Sequence, residues 1–208
     1  MSTEALFGIN ASGIAYIVSA ILFILGLKRL GSPATARSGN RLSALAMLLA
    51  ILATVLSNDI ASWEWILVGV IAGSGIGAYS ARKVQMTSMP QLVAIFNGLG
   101  GAASAVVAAG ELIRLIDLGE SIPQDVSITI MASVIIGGVT LTGSFIAYAK
   151  LQGVVPTRPL LLPIRNVINI SLLIGMVTSI TWFVIDPSVT AFLTAAAMAL
   201  TLGILIVI

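Results

Sequence analysis

The stretch PQLVAIFNGLGGAASAVVAAG, Pro90 to Gly110, contains no Asp, Glu, Lys or Arg. A helix needs about 20 largely apolar residues to cross the hydrocarbon core of a bilayer. Six further stretches of this 208-residue chain are built the same way, or nearly so. Together they predict helices at about Asn10–Leu27, Leu42–Ser57, Trp63–Ala81, Pro90–Gly110, Ser127–Ala149, Val167–Ile185 and Ser188–Ile208. The expected fold is all-α: a polytopic membrane helical bundle of about seven transmembrane helices, forming a single transmembrane domain over residues 1–208. A soluble fold is excluded by composition. The chain is 58% hydrophobic and 9% charged, whereas soluble domains carry roughly 25% charged residues.

Charge orients the bundle. Lys28, Arg29, Arg37 and Arg41 fall in the first loop, Arg82 and Lys83 two loops later, and Lys150, Arg158 and Arg165 after the fifth helix. Nine of the ten basic residues therefore share one side. All eight acids, Glu4, Asp59, Glu64, Glu111, Asp117, Glu120, Asp125 and Asp186, fall on the other, with Arg114 the one base among them. The positive-inside rule then puts the N-terminus outside and the C-terminus in the cytoplasm. Trp63, Trp65 and Trp182 fall near the outer interface and Tyr79 and Tyr148 near the inner one, as an aromatic belt requires. The N-terminal flank MSTEALFGIN has no Lys or Arg. It lacks the positive region of a cleavable signal, so the first apolar stretch reads as a retained helix.

Several chemistries are absent from the composition. With no cysteine and no histidine, there is no thiolate site, no disulfide and no imidazole ligand. A net charge of +2 without a long basic run gives no sign of nucleic acid.

One motif needs a decision. Gly98-Leu-Gly100-Gly101-Ala102-Ala103 spells the G-x-G-x-x-A form of a dinucleotide-binding turn. That turn needs a strand, a helix and a soluble sheet around them. Here it sits inside an uncharged span, where an open strand-and-loop unit would leave backbone groups unsatisfied. The nucleotide reading is rejected for these residues.

The polar information within the spans lies in Asn, Ser, Thr and Gly. Gly69, Gly73 and Gly77 form a doubled G-x-x-x-G, which reads as a helix-packing seam. Asn97, Gly101, Ser104 and Ala108 share one small, polar face of the fourth helix. Thr129, Ser133, Gly137, Thr140 and Ser144 repeat the pattern on the fifth. Gly101 and Gly137 read as packing positions. Two such faces either pack together or line a thin wet path. An amide in hydrocarbon must find a partner, so Asn97 either joins two helices or holds water in a pathway.

At these residues a family resemblance becomes specific. MPQLVAIFNGLGGAAS (Met89–Ser104) resembles the signature helix of the β-subunit membrane domain of proton-translocating NAD(P) transhydrogenase. GGVTLTGSFIAYAKLQG (Gly137–Gly153) resembles its following helix, and RPLLLPIRNVINI (Arg158–Ile170) the next loop and helix start. The resemblance runs from about Ser12 onwards. It implies an enzyme complex of the inner (cytoplasmic) membrane that couples hydride transfer between NAD(H) and NADP(H) to proton translocation. NAD(H) would bind a soluble domain of the α subunit and NADP(H) a soluble C-terminal domain of the β subunit, with no cofactor on this chain. The implied partners are the α-subunit membrane helices and both soluble domains, in a dimer of protomers surrounded by membrane lipid. The two further helices and the NADP-binding domain of family β subunits are missing after Ile208, so this chain alone is expected to catalyse no hydride transfer.

The resemblance also assigns residues. Asn97 matches the proton-pathway position, where several family members carry a histidine. An asparagine carries no proton, and the resemblance implies a histidine on an α-subunit helix instead. Gly143 and Ser144 match the TGS segment beside the path, with Thr140 and Ser104 on the same small faces. The end of the fourth helix, Met86–Gln91, would face the soluble domains. Two readings from other classes are a stand-alone small ion or solute transporter and a non-catalytic membrane scaffold subunit.

Overall fold

The computed structural model describes residues 11–56, 63–119, 121–158 and 165–208. Among these residues the regular structure is helical. Seven α-helices are present: α1 Ala11–Leu30, α2 Ala36–Leu56, α3 Trp63–Lys83, α4 Met89–Asp117, α5 Gln124–Leu151, α6 Arg165–Ile185 and α7 Val189–Val207. A short 3₁₀ turn, Met86–Ser88, precedes α4. All seven are long and apolar enough to cross a membrane. The parts of the sequence reading that concern Glu4, Asn10, Asp59, Glu120 and the middle of the third matching block lie outside the described residues.

The helices outrun the apolar stretches that predict them. α2 begins at Ala36 rather than near Leu42, because Arg37 and Arg41 sit on its first turns. α4 continues to Asp117, so Glu111, Arg114 and Asp117 lie on its last turns instead of in a loop. At a 1.5 Å rise, its 29 residues span about 43 Å. The hydrocarbon core is about 30 Å thick, so charged ends fit beyond it. Arg114 donates to both carboxylate oxygens of Glu111, at 2.9 and 2.7 Å, which keeps the two charges paired within one turn. The helix stops at Gly119, whose φ of +66° suits a residue without a side chain. Ser188 caps α7, its hydroxyl accepting from the backbone N–H of Ala191.

The chain divides into two compact units at Ile76/Gly77, within α3. In the first, α1 and α2 form an antiparallel hairpin. Gly26 and Gly39 meet there so closely that a Cβ on Gly39 would lie 2.8 Å from the Gly26 carbonyl oxygen. In the second, α5 is the central helix, with α4 on one side and α7 on the other, and α6 packs against α7. The core of this unit joins Ala108, Leu112 and Leu115 of α4 to Ile130, Met131 and Val134 of α5. Phe183 of α6 and Ala191, Phe192 and Ala195 of α7 complete it.

Candidate polar seam between α4 and α5

The α4 face that packs on α5 repeats at about 3.5 residues. Gly98, Gly101, Ala108, Leu112 and Leu115 are buried along it, and Ala105 packs against the same core. Missing side chains decide how near the two helices come. A Cβ on Gly101 would lie 2.7 Å from the Gly137 carbonyl oxygen and 2.8 Å from Thr140 Cβ. A Cβ on Gly137 would lie 2.5 Å from the Gly101 carbonyl oxygen. The backbones therefore touch at Gly101 and Gly137, with Thr140 alongside.

This contact sets the register of the polar groups. One turn further along the pair, Asn97 Nδ2 donates to Ser144 Oγ at 2.8 Å. Ser144 is buried, while Asn97 sits on the exposed edge of the seam. Gly98 leaves the room for Ser144: a Cβ there would lie 3.2 Å from Ser144 Cβ. The amide keeps an acceptor oxygen and the hydroxyl keeps its proton, so the pair can hand hydrogen bonds onward. Ser104 lies on the same exposed edge of α4, two turns beyond Asn97.

Further along the same seam is an open cavity of about 220 Å³. Glu111, Asp125, Thr129 and Ser133 supply its polar lining and Val107, Ala108, Val126 and Ile130 its apolar lining. Glu111 is fourteen positions from Asn97, about 21 Å along the helix. At the opposite end of the seam, Gln91 Nε2 donates to the Leu151 carbonyl at 3.4 Å. The amide oxygen of Gln91 is buried without a partner. Among the described residues no group of three His, Cys, Asp or Glu is placed to hold a metal ion.

The expected positions thus separate into three groups. Asn97, Ser144, Gly101, Gly137 and Thr140 come together in one seam, with Ser104 on its edge. Gly143 faces the other way: a Cβ there would meet the Gly203 carbonyl oxygen at 3.3 Å and Val207 Cγ2 at 3.4 Å. Its position one residue before Ser144 turns it by about 100°, to the α7 side of α5. Gly69, Gly73 and Gly77 touch nothing: a Cβ on any of them has no neighbour within 4 Å. No residue of α3 is buried, so the doubled G-x-x-x-G forms no seam within the described chain.

Two features escape the sequence reading. The first is the α5–α7 contact, where Ala191, Ala195, Ala199 and Gly203 are buried at every fourth position. Thr142 Oγ1 donates there to the Leu200 carbonyl at 2.8 Å, and Gly203 leaves the space that Thr142 fills. The four-residue spacing of small residues was the available signal. The second is Lys150, whose ammonium donates to the carbonyls of Val207 and Ile208 at 2.5 and 3.3 Å. It ties the end of α5 to the last turn of α7.

Comparison with known proteins agrees with this architecture. The family model described as NAD(P) transhydrogenase beta subunit matches residues 12–208. Two curated relatives from Rhodospirillum rubrum, both called NAD(P) transhydrogenase subunit beta, are 37% identical over 198 residues. The match covers 93% of this chain and 43% of each relative, so the chain spans less than half the length of the relatives it matches. An all-helical fold with seven span-length helices and a family match over nearly its whole length has one reading: the chain is a multi-pass membrane protein that belongs to the NAD(P) transhydrogenase beta-subunit family.

Proposed function

We propose that this chain is the proton-conducting membrane domain of a transhydrogenase that couples hydride transfer between NAD(H) and NADP(H) to proton translocation. The observation that carries the reading is the Asn97–Ser144 hydrogen bond, held in a backbone-to-backbone seam that opens onto a polar-lined cavity. Asn97, Ser144, Thr140 and Ser104 would orient water along the seam, and Thr129, Ser133, Glu111 and Asp125 would form its mouth. None of the seam groups beside Asn97 titrates near neutral pH, so the proton carrier comes from another helix of the complex. The open edge bearing Asn97 and Ser104 is where α-subunit helices and further β-subunit helices would close the path. NAD(H) and NADP(H) sit on soluble domains of the α and β subunits, and Met86–Gln91, the 3₁₀ turn and first residues of α4, relays their position to the seam. The assembly is a dimer of protomers in the inner membrane, with the C-terminus of this chain on the cytoplasmic side.

The test co-expresses the chain with the α subunit and the remainder of the β subunit, and assays sealed vesicles. NADPH-dependent reduction of an NAD analogue and proton flux are followed together. Asn97→Leu lowers coupled flux by at least about tenfold, a change of about 1.4 kcal/mol in barrier, and leaves nucleotide affinity unchanged. Undiminished flux in a well-folded Asn97→Leu complex sinks the pathway role and leaves the scaffold reading.

A further inference from the structure

The α1–α2 turn concentrates charge in a way the proton path does not use. Lys28 and Arg29 sit on the last turn of α1 and Arg37 and Arg41 on the first turns of α2. All four are exposed. No acidic residue occurs between positions 11 and 56, and none of the four forms an ion pair among the described residues. The turn is also built firmly. Thr35 Oγ1 donates to the Arg29 carbonyl at 2.6 Å, and Ser38 Oγ donates to the Thr35 carbonyl at 2.8 Å. With the helices in backbone contact at Gly26 and Gly39, the two helix ends that carry the cations are held side by side, and an anion bound there would relieve the repulsion among them.

The shape of the anion follows from what continues below the charges. Arg37, Arg41, Leu45, Leu48 and Leu52 recur at four- and three-residue spacing, so they share one face of α2. All five are exposed. The face is cationic at the end of the span and apolar for about 16 Å beyond Arg41, at 1.5 Å per residue. An inorganic phosphate would use only the first part of this strip. An amphiphile with a negatively charged head and an acyl tail uses both, and juxtamembrane clusters of Lys and Arg attract such lipids.

We propose that the α1–α2 turn and the outer face of α2 form a binding site for an anionic phospholipid. The phosphate would be held by Arg37 and Arg41 with Lys28 and Arg29 beside it, and the acyl chain would lie along Leu45, Leu48 and Leu52. The test uses the full chain in phosphatidylcholine bilayers containing spin-labelled phosphatidylglycerol or spin-labelled phosphatidylcholine. The motionally restricted fraction of each is read by electron paramagnetic resonance. The unaltered chain restricts the anionic lipid in preference to the zwitterionic one, and added salt weakens the preference. Lys28→Gln/Arg29→Gln/Arg37→Gln/Arg41→Gln lowers the preference by at least about fivefold. Arg29→Lys/Arg37→Lys/Arg41→Lys, which keeps the charges, retains it. Circular dichroism confirms equal helix content in each variant. An unchanged preference in the Gln variant overturns the proposal, as does a preference that disappears equally when Arg82 and Lys83 alone are neutralised. Displacement of the lipid by millimolar inorganic phosphate overturns it in favour of a free-anion site. No lipid preference in the unaltered chain, together with loss of soluble-domain binding in the Gln variant, overturns it in favour of an acidic protein face.

Discussion

Asn97 is an amide at the edge of a hydrocarbon-length helix, and its partner hydroxyl is buried against the next helix. Removing that hydroxyl separates structure from function. Ser144→Ala costs the fold about 1 kcal/mol, the net worth of one hydrogen bond, as read by unfolding in mixed micelles. Coupled proton flux falls by more than this stability loss explains. If flux and stability fall together in proportion, Ser144 is only a helix contact. Asn97 was legible in the sequence because it is the one amide deep within an apolar run. Its pairing with Ser144 was not. Sliding α4 along α5 by one turn keeps small residues opposite small residues, so several registers look equally good on paper. Gly101 against the Gly137 carbonyl selects one of them.

Two stripes of small residues show how the same spelling acquires different meaning at the scale of a helix. A Cβ on Gly69, Gly73 or Gly77 meets no neighbour among the described residues, whereas Ala191, Ala195, Ala199 and Gly203 form a buried seam against α5. Spacing states that a backbone can be approached, and only the placement of other helices states whether one comes. Ala199→Leu pushes into Gly138, where even a single added Cβ would lie 3.0 Å from the alanine methyl. It destabilises the chain by about 1–3 kcal/mol, the usual cost of overpacking. Gly73→Leu meets no such neighbour and does not destabilise the chain alone, and, on the proposal that the bare face of α3 receives an α-subunit helix, it reduces co-purification with that subunit. Chemical unfolding of both variants and affinity pull-down of the complex check the pair. Co-purification that survives Gly73→Leu removes α3 as a partner-binding helix.

At the scale of the whole molecule, the sidedness of the charges predicts a direction, and packing decides which helices meet. The chain has no cysteine, so single cysteines report topology without background. In sealed inverted vesicles, an impermeant maleimide labels Ser38→Cys, while Ser121→Cys reacts only after the membrane is opened. The reverse pattern overturns the orientation inferred from the basic and acidic loops. Uncharged span-length stretches already require transmembrane helices, because backbone groups in lipid must be satisfied within the helix itself. That requirement is local, so the helix number and the apolar segments were readable along the chain. Helix ends were less so, since charged residues such as Arg37, Glu111 and Asp117 continue a helix once it leaves the hydrocarbon. The central position of α5, the turning of Gly143 towards α7 and the union of Asn97 with Ser144 rest on contacts between segments far apart in sequence. Apolar helices have no hydrophobic preference among neighbours in lipid. Their partners follow from shape, and shape exists only when the helices are assembled.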